Sequence, residues 1–172
     1  MRIVISDTAA HVLSDATAVL ALVESNERSL DDALDSSLAH PELRRTVSSL
    51  LFAYFRHKRL VDGWLAGLAA RPPRSRLRRL LAATLTQIRF QSGIAPESAV
   101  NVAVELAKAL GGRGEAGFVN ALLRRAVAAP PVVQETPEEV FPPELLSRWQ
   151  RSRSAEELVA MCRAFLAPAA FT

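Results

Sequence analysis

The run GGRGEAGFVNALLRR, Gly111 to Arg125, spaces its glycines as Gly112-x-Gly114-x-x-Gly117. That spacing is capable of one chemistry: the amides of a tight glycine turn, with the N-terminus of the helix that follows, can hold a pyrophosphate. The chemistry needs a buried strand before the glycines. Here the preceding residues are AVELAKAL, a helical pattern, so Gly111 or Gly112 is expected to end a helix at positive φ, and the glycines to form a turn and not a nucleotide site.

Nucleophilic and metal chemistry find equally little. The single cysteine, Cys162, follows Met161 on an amphipathic pattern and reads as a packed thiol, and one cysteine excludes an internal disulfide. His11, His40 and His57 stand at no spacing that gathers metal ligands. His57, inside FRHKR, has no positioned partner in sequence and reads as solvated or phosphate-facing. The expectation is no catalytic residue, no metal and no cofactor in this chain.

Cations are the remaining chemistry. The formal net charge is +3, but residues 1–40 hold seven acids and two bases, whereas residues 41–91 hold eleven bases and two acids. Several cations on one surface recognise phosphates, each neutralised phosphate releasing counterions. The candidates are Arg44, Arg45, Arg56, Lys58, Arg59, Arg74, Arg78 and Arg89. A helical wheel sets Arg74, Arg78 and Arg89 on one flank of an apolar stripe, with Arg76 and Arg79 away from them. The competing reading is a solvated helix face. Phe52, Tyr54, Phe55, Trp64, Phe90 and Phe118 fall on or beside predicted inner faces and are expected mostly in the core, so recognition should rest on shape and phosphates, with weak sequence preference.

The elements that must position these groups are all helical. Ser6 or Asp7 can cap a helix to about Val23, and Ser29 with Asp32 starts a short one to Leu38. Pro41 opens a helix whose apolar residues Leu43, Val47, Leu50, Leu51 and Tyr54 repeat on one face and resume through Leu60, Trp64, Leu65 and Leu68. Pro72 and Pro73 stop it. A helix over about Arg74 to Phe90 presents Leu77, Leu81, Thr84, Leu85 and Ile88, and another runs from Pro96 to Leu110. No segment approaches eighteen uninterrupted apolar residues and no export signal opens the chain, so the expectation is a cytoplasmic protein with no membrane partner.

Two stretches carry a resemblance. APESAVNVAVELAK and GFVNALLRR resemble the paired helices of the NusB-like family of RNA-binding domains, with Asn101, Glu105 and Lys108 matching the first and Phe118, Asn120 and Arg124 the second. RRTVSSLLFAYFRHKRLVDGWL and RSRLRRLLAATLTQIRF look like that family's central helices. Val102 stands where the family usually has glutamate, and TAAHVLSDATAVLALVE where it often carries arginines. Further on, Phe141, Pro142, Leu145, Leu146, Arg148 and Trp149 in FPPELLSRW resemble the junction joining a NusB-like N-terminal domain to the catalytic domain in ribosomal RNA 5-methylcytosine methyltransferases of the RsmB or Sun group.

The resemblance implies an all-α fold of about seven helices in two packed small bundles. It divides the chain into a NusB-like domain over 1–128, a proline- and acid-rich linker over 129–142, and over 143–172 the helical start of a missing or truncated methyltransferase module. It implies that this chain docks such an enzyme on small-subunit ribosomal RNA without itself holding the catalytic or methyl-donor sites. The alternative is a transcription antitermination or protein-interaction module that pairs with a ribosomal protein. A third possibility is packing against its own catalytic domain.

Overall fold

A computed structural model describes residues 7–134 and 136–167; the cap expected from Ser6 lies outside them. Helix α1 (Asp7–Glu24) buries Val12, Leu13, Ala16, Val19 and Leu20, an i, i+1, i+4, i+7, i+8 stripe that puts these five side chains on one face. Ser29 caps α2 (Leu30–Ser36), its Oγ accepting the Asp32 N–H at 3.2 Å.

The single long or bent helix expected after Pro41 is three pieces: a 3-10 turn at Pro41–Leu43, α3 (Arg44–Arg56) and α4 (Lys58–Leu68). The break falls at His57, whose N–H reaches both the Ala53 and Tyr54 carbonyls while its ring stacks on Phe90 at 3.8 Å. The backbone leaves helical geometry there, at φ −110° and ψ 21°.

Helix α5 (Ser75–Phe90) is the central element, packed by α1, α3, α4 and by α6 (Pro96–Ala128). The expected stripe along α5 is therefore too narrow: Ala82, Ala83, Thr86 and Gln87 are also buried. Small side chains let neighbours approach, and the Thr84 and Thr86 hydroxyls donate back to the Leu80 and Ala82 carbonyls at 2.7 and 2.8 Å, which satisfies them without water. Within α6, Gly112 takes φ 78° and ψ −163°. That is the glycine turn expected from sequence, and it divides α6 into two limbs with no strand before it. Counting the limbs separately, seven helices lead up to Ala128 around one contiguous apolar core that runs from Val12 to Ala126.

Three helices follow, α7 (Pro137–Val140), α8 (Pro143–Trp149) and α9 (Ala155–Leu166). Ser154 and Glu157 form a reciprocal capping box at the start of α9. Phe141, Leu146, Leu158 and Cys162 make a second, small core with Val140, Trp149 and Met161 packed on it. The stretch expected to be a proline- and acid-rich linker, 129–142, contains one helical turn, and α7 rests against α4. The described residues hold nine α-helices and no strand.

Candidate nucleic-acid interface

The basic segment is built around the α3–α4 break. His57 is held there by Phe90 at an interplanar angle of 4°. Burial, with Arg56 and Arg89 beside it, lowers its pKa to about 4. Its imidazole is neutral at pH 7, and the ring read from FRHKR as solvated or phosphate-facing is instead stacked on Phe90 with cations gathered around it. Arg89 lies over the Phe90 ring, its guanidinium 5.7 Å from the centroid.

The C-terminal segment folds back over this junction. Arg59 Nε donates to the Glu139 carbonyl at 3.2 Å and its Nη2 to that of Glu138 at 3.4 Å. Arg89 Nε donates to the Pro131 carbonyl at 3.3 Å. A shallow cleft remains, with Arg56, His57 and Arg59 on one wall and Val133, Gln134 and Glu139 on the other.

The other predicted cations separate by partner. Arg44 donates to Asp35 from Nε and Nη2 at 2.8 and 2.6 Å. Lys58 pairs with Asp62 and lies 5.7 Å from the Tyr54 ring centroid. Arg78 pairs with Glu24 and stands 4.0 Å from Asp62; Tyr54 completes this network, donating its hydroxyl hydrogen to Asp62 at 3.1 Å. Burial alone would lower the pKa values of Lys58 and Arg78, but Asp62 and Tyr54 for the lysine, and Glu24 and Tyr54 for the arginine, more than offset it and raise both. Burial, then the Asp62 charge, raises the Tyr54 pKa. Arg78 is thereby committed to holding α1, α4 and α5 together.

Arg74 and Arg89 stand at opposite ends of α5, about 22 Å apart along its axis. The structure thus does not gather Arg74, Arg78 and Arg89 on one patch. It gathers Arg56, Arg59 and Arg89 around His57. Arg45, Arg56 and Arg74 carry no side-chain partner among the described residues. Arg45 and Arg56 share a face of α3, a helix with no acidic residue.

The family-motif residues lie elsewhere, on α6. Glu105 and Lys108 form an exposed pair at 3.8 Å, Asn101 is half-buried, and Asn120 Oδ1 accepts Arg124 Nε at 3.0 Å. Two aromatics depart from their expected core positions: Phe118 is 38% exposed and Phe52 46%.

Sequence reasoning also passed over Asp15. Its side chain is 4% exposed and accepts the backbone N–H groups of Ala39 and His40 at 3.2 and 3.0 Å. The His40 ring stacks on His11 at 3.7 Å. Stacked rings do not converge their nitrogens, and no group among the described residues could hold a metal. The only early signal was an acid inside an apolar stripe, which is rarely buried without partners.

Residues 7–128 match the family model described as the NusB family. "Probable ribosomal RNA small subunit methyltransferase B" from Synechocystis sp. (strain ATCC 27184 / PCC 6803 / Kazusa) is 34% identical over 99 residues, covering 56% of this chain and 22% of that protein. No solved structure matches at the same stringency.

Proposed function

The chain belongs to the NusB family, and on that premise we propose that it is an RNA-binding accessory domain that docks a ribosomal RNA 5-methylcytosine methyltransferase on small-subunit ribosomal RNA. The observation that carries this reading is the acid-free outer face of α3, where Arg45 and Arg56 have no side-chain partner among the described residues and lead toward Arg59 and Arg89 at the His57 junction. Unpaired guanidiniums are available to phosphate oxygens, which they engage by charge-assisted, often bidentate hydrogen bonds. Cations already held by carboxylates, such as Arg44 and Arg78, have little to gain.

On this reading the contribution of the chain is binding. Methylation at carbon 5 of cytosine calls for a thiolate that adds to the ring and for a bound methyl donor. Cys162, packed inside the second core, does not serve as that nucleophile. The relative named for small-subunit ribosomal RNA supports the choice of RNA, and the far greater length of that protein leaves room for a catalytic module.

The test is fluorescence anisotropy of the full chain with small-subunit ribosomal RNA hairpins, their loops and bulges included, over a salt series, beside the double variant Arg45→Gln, Arg56→Gln. Removing two phosphate contacts should flatten the slope of log K against log salt by about 1.4 to 1.8. Arg44→Gln, which breaks an ion pair with Asp35, should leave the slope unchanged. Absence of salt-dependent binding by the unaltered chain overturns the proposal; capture of a ribosomal protein in its place would favour the antitermination alternative.

A further inference from the structure

Phe52 is the feature that phosphate recognition does not use. It stands 46% exposed while Leu50, Leu51 and Tyr54 around it in sequence are buried. It makes no ring or cation contact among the described residues. Arg45, Ser49, Phe52 and Arg56 follow one another at i, i+4, i+7 and i+11, which places them within an arc of about 60° on the helix surface. Along the axis Phe52 is about 10 Å from Arg45 and about 6 Å from Arg56. An aromatic ring therefore stands between two partnerless cations, with the hydroxyl of exposed Ser49 beside it and no acid on the helix.

We infer that this face of α3 is a binding site for single-stranded RNA, in which Phe52 stacks on an unpaired base while Arg45 and Arg56 take the phosphates on either side. This rests on the RNA-binding reading above and specifies its ligand: a loop or bulge, not a continuous duplex. The chemistry separates the two. A base inside a helix offers its π-face only to its neighbours, whereas an unpaired base is free to stack on an aromatic side chain, and every base has such a face. A phenylalanine has only two χ angles to order on stacking, and the backbone that carries it is already held by the core residues Val47, Leu50, Leu51 and Tyr54. Charge selects the occupant. An apolar partner surface would have to bury two unpaired guanidiniums along with the ring, which is costly without anions. The phosphates of a single strand supply those anions at both ends.

The experiment uses the full chain and two probes: a single-stranded RNA carrying 2-aminopurine at its centre and a blunt RNA duplex of the same length. The unaltered chain should quench the 2-aminopurine fluorescence and bind the single strand more tightly than the duplex. Phe52→Ala should weaken single-strand binding by about 5- to 140-fold, abolish the quench, and leave duplex affinity within about twofold. Phe52→Trp should restore both binding and quench. Because the side chain is half out of the fold, far-UV circular dichroism of Phe52→Ala should match the parent. Retained binding and quench in Phe52→Ala, with RNA binding otherwise intact, overturns this inference and leaves the broader proposal standing. Equal loss on both probes overturns it as well, since a stacking contact cannot act on a closed duplex. A Phe52→Ala change confined to self-association, read by sedimentation, would assign the face to a second copy of the chain and overturn it too.

Discussion

Replacing Asp15 with alanine tests whether the first two helices are tied to the α3 entrance by a buried carboxylate. Asp15 sits on α1, almost wholly enclosed, and receives the Ala39 and His40 N–H groups at 3.2 and 3.0 Å, with His40 Nδ1 a further 3.3 Å away. A hydrogen bond to a charged group contributes about 1.5 to 3 kcal/mol net. The donors lie at the edge of the core, where Ala39 is exposed and water can replace one partner, so the sum for the pair falls at about 2 to 4 kcal/mol. That is a large part of a typical domain's stability of about 5 to 15 kcal/mol. Urea unfolding of Asp15→Ala should show a lower midpoint at unchanged m, and Tm should fall by roughly 4 to 16 °C at about 2 to 4 °C per kcal/mol. Asp15→Asn keeps one acceptor oxygen and should fall between. Ser14→Ala, at the exposed neighbour, serves as control. A loss below about 0.5 kcal/mol for Asp15→Ala, the range of ordinary surface changes, refutes the argument.

Two further outcomes follow from the backbone and from His57. Gly112→Ala forces a Cβ onto φ 78° and ψ −163°, a region open essentially to glycine alone, and should cost about 1 to 3 kcal/mol by denaturant unfolding. Gly114→Ala, which meets nothing within 4 Å and has no positive φ, should cost nothing and serves as the comparison. The unfolded His57 takes a proton near its ordinary pKa of 6.5, the folded one only at about 4. Between those values the unfolded state binds more protons, so this group makes stability fall as pH drops through that window. His57→Phe, which keeps a ring on Phe90, should remove that component; parallel decline of both proteins from pH 7 to pH 4 would contradict the assignment.

Much of the chain was legible before the fold. Apolar repeats at helical spacing mark α1, α3, α4, α5 and the first limb of α6, because burial of one stripe is a local property of the pattern. Paired prolines and the glycine cluster mark the turns because their backbone limits are intrinsic. The site was less so. Eleven bases in residues 41–91 announce a charged surface, but a wheel drawn on one helix does not see acids on another. Arg78 meets Glu24 from α1 and Asp62 from α4, and Arg44 meets Asp35 from α2. Phe52 lies beside the predicted inner face, and only the placement of α1 and α5 against α3 shows that it is left outside.

By itself the sequence determined an all-helical chain, the turn at Gly112, a basic middle segment and the family to which residues 7–128 belong, because period, backbone restriction and charge count act locally or sum over the chain. Only the tertiary structure decided which arginines remain available, that His57 is stacked and neutral, that Arg59 and Arg89 hold the returning segment, and that Arg45, Phe52 and Arg56 form one open face. Those are questions of partnership between residues far apart in sequence, and burial and ion pairing are settled by whichever helix packs alongside.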